Sequence, residues 1–186
     1  VTVLDRTMVS GVYDHGYALG YQRIADHQPG ADKPRHRLWR VRAAEIITAT
    51  GAIERPLSFA GNDLPGVMLA SAVRDYVVNW AVSPGQSVAV VTNNDDAYAT
   101  AHAFAASGGE VLAIVDSRAA PAAAVAARAA GFTVHTDAVV YGTSGRPALR
   151  SVKVRVGPEG GAKTRTLNLS ADVLAMSGGH SPSVHL

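Results

Sequence analysis

A chain of 186 residues, 47% apolar and 17% charged, can bury a sizeable core and is long enough for one domain or parts of two. A formal charge of +2 supplies no basic stripe for nucleic acid, and no apolar run approaches the ~20 residues of a membrane span. Zero cysteines exclude disulfides, thiolate metal sites and dithiol redox chemistry, and cytoplasmic residence fits that composition.

From the N-terminus, Val1–Leu4, Gly11–Tyr13 and Arg37–Ala43 read as short strands, with a polar loop over Asp26–His36 marked by Pro29, Gly30 and Pro34. Arg35, Arg37, Arg40 and Arg42 read as a solvated strand face, or as one that meets a partner. Glu45–Ala49 is a further short buried strand running into Thr50-Gly51. Asn62–Gly66 offers helix-start chemistry, and Leu69, Val73, Tyr76, Val77 and Trp80 follow at one-sided helical spacing. Ser83-Pro84-Gly85 ends that helix and marks a domain junction.

Val88–Arg118 then has the layout of a dinucleotide-binding βαβ unit. Strand Val88–Val91 leads through a polar turn into an Ala-rich helix, and strand Val111–Val115 ends on Asp116. A second helix spans Ala119–Ala130 with Pro121 in its first turn, followed by a strand over Phe132–His135. Tyr141–Pro147 reads as a loop, Leu149–Val156 and Thr164–Leu169 as a hairpin joined by Gly157–Gly161, and Asp172–Met176 as a buried strand opening onto Ser177-Gly178-Gly179. The start at Val1 within a strand-like VTVL, and the end at Leu186 without a terminal helix, read as an excised piece of a larger protein. No secretion-signal pattern is visible in it.

The turn carries the chemistry in question. A pyrophosphate-binding turn reads G-x-G-x-x-G/A, so that backbone can approach the phosphates at a helix N-terminus. Here Thr92, Asn94 and Ala97 hold those positions, with Asn93 between the first two. Asn94 tolerates left-handed dihedrals, but its side chain occupies phosphate space. Asp95 and Asp96 fall where a carboxylate caps a helix and complements its dipole, so a self-capping turn is favoured over a cofactor turn. Asp116, about 20 residues on, stands where a ribose-binding acid belongs, with Arg118 as an alternative 2′-phosphate partner; an acid at a strand end has other uses too. Thr50-Gly51 and Gly178-Gly179 allow close backbone approach to a ligand, or are ordinary turns. The histidines form no metal-binding spacing, so no metal site is expected, and no G-x-S-x-G elbow occurs. Tyr13-Asp14-His15 sets an acid beside a base, but neighbours on a strand face opposite ways.

The segments GVYDHGYALGYQRIAD, RLWRVRAAEIITATGAIERPLSFAGNDLPGVMLASAVRDYV, VAVVTNNDDAYATA and ADVLAMSGGHSPSVHL resemble the alpha subunit of heterotetrameric sarcosine oxidase. More broadly they resemble the two-dinucleotide-binding-domain flavoproteins, the pyridine nucleotide-disulfide oxidoreductase-like group that includes thioredoxin reductase. The resemblance implies an α/β fold: a Rossmann-like, three-layer NAD(P)-type domain with an appended β-hairpin, nested in a partial, β-rich FAD/NAD(P)-binding domain. The implied divisions are residues 1–82, 83–175 and 176–186. It implies a fragment of an oxidoreductase acting on CH–NH groups. The intact complex would demethylate sarcosine oxidatively to glycine, peroxide and a one-carbon unit, while the fragment is a dinucleotide-binding scaffold without its own catalytic residues. NAD is implied for the intact subunit, FAD and FMN for the complex, largely through partner subunits, and beta, gamma and delta-type subunits as partners. By position, Thr50, Gly51, Ser177, Gly178 and Gly179 line the first domain's dinucleotide site. Thr92, Asn93, Asn94 and Asp116 map to a second site, vacant in one reading. The region between Pro65 and Trp80 holds the redox dithiol in thioredoxin reductases, and here it has no cysteine. The alternative is an NAD(H)- or NADP(H)-binding module of a related amine or opine dehydrogenase subunit.

Overall fold

The computed structural model describes residues 1–157 and 164–184. They divide into two compact units, Val1–Gly51 together with the chain from Pro182, and Ala52–Ser181.

In the first unit, β1 (Thr7–Tyr13), β2 (Tyr17–Arg23) and β3 (His36–Arg42) form an antiparallel meander. Positive φ at His15 and Gly16 turns the chain between β1 and β2. The arginine face of β3 is not merely solvated. Arg37 lies 5.2 Å from the Trp39 ring centroid and Arg42 5.8 Å from that of Tyr17, while the Trp39 indole donates to Gln22 Oε1 at 2.8 Å. Two expected strands do not form: Val1–Leu4 and Glu45–Ala49 lie outside any strand. Residues 45–49 are exposed, with Ile47 at 92%. Their β-branched run has strand propensity, but a strand needs a ladder partner, and among the described residues none pairs with it.

The second unit is built on a parallel sheet. β5 (Val67–Leu69), β12 (Val173–Ser177), β6 (Ser87–Thr92), β7 (Glu110–Asp116) and β8 (Val134–His135) lie side by side in that order. The near-continuous apolar runs of β6, β7 and β12 follow from burial on both faces. Alternation divides them between two cores. Val88, Val90, Ile114, Val173 and Ala175 face the layer of α1 (Ala70–Asn79), α2 (Asp96–Ala106) and α3 (Ala122–Ala129), joining Val73, Ala101 and Phe104. Ala89, Val91, Val115, Leu174 and Met176 face the other way, onto Val140, Val152 and Val154. That third layer is an antiparallel sheet of β9 (Ala138–Ser144), β10 (Ser151–Val156) and β11 (Arg165–Leu169). The architecture is the expected three-layer α/β domain. A two-stranded sheet pairs β4 (Ala52–Glu54) with β13 (His180–Pro182).

Three local differences have physical causes. The expected hairpin exists as β10–β11, with Val152 opposite Leu169, although its connection from Pro158 to Gly161 lies outside the described residues. It is extended by β9, which runs through the supposed loop at Tyr141. The Gly142-Thr143-Ser144 composition hides a strand, and the register shift between Lys153 and Val154 leaves Tyr141 as the extra residue of a bulge. Helix α1 begins at Ala70 rather than near Asn62, because Val67–Leu69 is drawn into a parallel ladder with Leu174–Met176. Val73 is buried and Val77 half-buried on α1, whereas Tyr76 and Trp80 of the same stripe are exposed.

Asp172 ties the start of β12 to that of β6, accepting from the backbone N–H of Gln86 (3.0 Å) and Ser87 (2.8 Å) and from the Ser87 hydroxyl (3.0 Å). Burial works to raise its pKa, but these donors outweigh it and hold the carboxyl below its ordinary value of 3.8. A depressed folded pKa means stability that is present above the unfolded value and lost as pH falls through the folded one. Asp172→Asn is therefore expected to flatten the acid limb of the stability profile below about pH 4. Urea denaturation followed across pH 2–6 (roughly one unit either side of the carboxylate range) checks this, and an unchanged limb contradicts it.

Candidate functional site at the carboxyl ends of the parallel strands

The sheet order 5-12-6-7-8 changes direction between β12 and β6, because β6, β7 and β8 progress one way while β5 and β12 lie on the other side. Such a switch point opens the crevice where α/β sheets bind ligands. Thr92 ends β6 and Ser177 ends β12, paired in register, and Asp116 ends β7 beside Thr92.

The turn after β6 is stitched by its own side chains. Buried Thr92 Oγ1 donates to Asn94 O and accepts from Asn94 N, both at 2.9 Å. Asn94 Nδ2 donates to Ser177 Oγ at 2.8 Å, and Asn94 Oδ1 accepts from the Asp96 N–H at 3.1 Å. Asn93 N donates to Ser177 O at 3.3 Å. Asn94 thus caps α2 and bridges to β12, and it does so without a left-handed φ. The expected carboxylate cap is replaced: Asp95 makes no cap bond, pairing with Arg118 at 2.7 Å, and Asp96 pairs with Arg74 at 2.9 Å. Both aspartates at the helix start therefore carry arginine counter-charges that no local pattern displays.

Asp116 is fully buried and its two oxygens are engaged. Oδ2 accepts from Tyr98 OH and Arg118 Nη2, each at 2.8 Å; Oδ1 accepts from the Arg118 backbone N–H at 2.9 Å and Nε at 3.1 Å. Burial, with the Asp116 hydrogen bond, pushes the Tyr98 hydroxyl above its ordinary pKa. The same carboxylate raises the Arg118 guanidinium. The unit is a locked Tyr–Asp–Arg arrangement.

Where β12 ends, Gly178 is buried against the segment after β4. Its N–H donates to Arg55 O at 2.7 Å, and Arg55 N donates to Gly179 O at 2.8 Å. A Cβ on Gly178 meets Arg55 O and Pro56 O, each at 2.9 Å; one on Gly179, at φ +91°, meets Arg55 Nη2 at 3.3 Å and Asn93 Oδ1 at 3.8 Å. Ser177, Gly178, Gly179, Thr92, Asn93 and Asn94 are thus brought together, with the Arg55 guanidinium among them, a residue that spacing alone does not single out. Thr50 and Gly51 belong to the first unit. There Thr50 Oγ1 donates to the Ser183 carbonyl, and Ser183 N donates to Gly51 O at 2.9 Å with Gly51 at φ +74°. A cavity of about 190 Å³ opens beside Thr92, Asn93 and Ser117, walled by Leu57, Phe59 and Val140. Ligand pockets for drug-sized molecules run from about 300 Å³ upward.

Among the described residues no helix is long and apolar enough to cross a membrane. No family model matches the chain. It is 44% identical over 188 residues to the sarcosine oxidase subunit alpha of Rhizobium meliloti (strain 1021), and 42% identical over 191 residues to that of Corynebacterium sp. (strain P-1). These matches take in 100% of the chain but only 18% and 20% of the relatives' lengths. Among solved structures, L-proline dehydrogenase from P. horikoshii superposes with a TM-score of 0.55 at 19% identity, covering 95% of this chain and 28% of that one. A pyridine nucleotide-disulfide family oxidoreductase from Enterococcus faecalis V583 gives 0.54 at 11% identity, covering 96% and 38%. The fold is therefore that of the FAD/NAD(P)-binding oxidoreductases. Along its whole length the chain belongs to the sarcosine oxidase alpha-subunit family, of whose members it spans about a fifth.

Proposed function

We propose that this chain is the structural core of the dinucleotide-binding region in a sarcosine oxidase-type alpha subunit. It walls a site for NAD in the intact subunit and supplies no catalytic residue of its own. The intact complex, with beta, gamma and delta-type partners and with FAD and FMN held mostly outside this chain, oxidatively demethylates sarcosine in the cytoplasm. The observation that carries the scaffold reading is the filled crevice at the switch point. Asn94 spans from β6 to Ser177 and caps α2, while Tyr98 and Arg118 occupy both oxygens of Asp116. A bound pyrophosphate and ribose need those same groups. The second Rossmann-like site is then vacant, and NAD in the intact subunit lies outside it.

In the assembled complex, Asn94→Ala is expected to lower stability by about 1 kcal/mol through the lost cap. Sarcosine-dependent oxygen uptake should stay within about twofold, since under 0.4 kcal/mol separates the two rates. A tenfold fall in kcat/KM at unchanged folding contradicts the scaffold reading. It favours instead a nucleotide held directly by the β6 turn, as in an NAD(H)- or NADP(H)-binding module of a related amine or opine dehydrogenase subunit.

A further inference from the structure

We infer that Glu54, Asp96 and His180 form a binding site for one first-row divalent transition-metal cation. Glu54 ends β4, Asp96 begins α2 and His180 begins β13. One ligand atom from each lies within 4.8 Å of the other two, and His180 Nε2 stands 4.0 Å from Asp96 Oδ2. Donors about 2.1 Å from a common ion are at most about 4.2 Å apart, so the three atoms close on one centre with side-chain shifts of about half an ångström.

The independent sign of a ligand is on Glu54. This carboxylate is only 6% exposed, and its Oε2 is held by the Ser71 N–H at 2.8 Å and the Ser71 hydroxyl at 2.5 Å. Its Oε1 is buried with no hydrogen-bond partner among the described residues. A desolvated carboxylate oxygen without a partner is costly unless a cation or donor completes it. Ser71 fixes the Glu54 carboxylate, and Arg74 fixes Asp96 through contacts of 2.9–3.2 Å, the outer-shell support that oriented metal ligands need. Two carboxylates and an imidazole give a mixed oxygen–nitrogen set, which suits Zn²⁺ or Mn²⁺; the imidazole disfavours Mg²⁺ and Ca²⁺. The two carboxylates balance a dication, and the Arg74 guanidinium paired with Asp96 leaves the cluster with a positive charge in excess. The site adjoins the β6 turn through Asp96 and the Ser177–Gly179 return through His180, and its metal is bound without NAD.

The test is a calorimetric titration of metal-stripped full-length protein with ZnCl₂, MnCl₂ and MgCl₂. One equivalent of Zn²⁺ or Mn²⁺ per chain is expected, with Mg²⁺ at least about tenfold weaker. His180→Ala removes an exposed side chain and leaves folding intact, and Glu54→Gln keeps an acceptor for Ser71. Each removes one of the direct ligands and is expected to weaken binding by at least about 100-fold, the upper end of what an outer-shell change alone does. Failure of Zn²⁺ and Mn²⁺ to bind stoichiometrically overturns the assignment. So does stoichiometric binding that both folded variants retain unchanged, which places the ion elsewhere.

Discussion

Asp116→Ala is expected to destabilise the protein by about 3 kcal/mol, the lower end of the range for breaking a buried ion pair. The carboxylate is fully buried and accepts from Tyr98 OH and from three donors of Arg118. Removing it strands the Tyr98 hydroxyl, which is largely enclosed, and releases the clamp that orients Arg118 toward Asp95. The lower end applies because the Arg118 side chain is 35% exposed and rehydrates. For a domain of this size the loss corresponds to a fall in Tm of roughly 6–12 °C. Tyr98→Phe removes a single bond and should fall by about 1 kcal/mol. Paired urea melts of the two variants distinguish a structural acid from a ligand-binding one. A stable Asp116→Ala protein that has lost dinucleotide affinity contradicts the structural role.

Gly178→Ala is expected to be of comparable size, about 3 kcal/mol, the upper end of overpacking costs. Its Cβ meets two backbone carbonyl oxygens at 2.9 Å and the Leu57 side chain at 3.2 Å, and backbone cannot rotate away. Gly179→Ala makes the contrast. There the conformation at φ +91° costs about 1–2 kcal/mol, while the nearest atom is the far end of the Arg55 side chain, which can move. The predicted order, Gly178 more sensitive than Gly179, is read by chemical denaturation. The reverse order means that Gly178 does not sit tightly under Arg55 and Pro56. The return of the chain from β12 would then not be fixed by that crossing.

The parallel core was legible because burial on both faces writes itself into a strand as an unbroken apolar run. Val88–Val91, Val111–Val115 and Val173–Met176 all carry that mark. Helices α2 and α3 were legible from alanine content, and Pro121 lies just before the first residue of α3, Ala122. Elsewhere local pattern and tertiary pairing diverged. Strand β9 was hidden by Gly142, Thr143 and Ser144, since glycine and hydroxyl residues score as loop until a neighbour such as β10 fixes them. Ile46 and Ile47 showed the converse, a strand-like sequence that no described strand pairs with. At the site, the polar turn and Asp116 were found from spacing to the preceding strands. Their counter-charges were not, because Arg74 precedes Asp96 by 22 residues and Arg118 follows Asp95 by 23. Glu54, Asp96 and His180 lie still further apart in the chain, and only folding brings their ligand atoms together.

The central claim, a scaffold whose second Rossmann-like crevice is filled by its own side chains, is most directly tested by dinucleotide stoichiometry. NAD is titrated calorimetrically into the full-length subunit and into its Asn93→Ala/Asn94→Ala variant. The account predicts one equivalent of NAD per chain for both proteins, with affinities within about twofold, or 0.4 kcal/mol. Two equivalents in the unaltered protein, or loss of an equivalent in the variant while it remains folded, would show that the β6 turn holds a nucleotide and would contradict it.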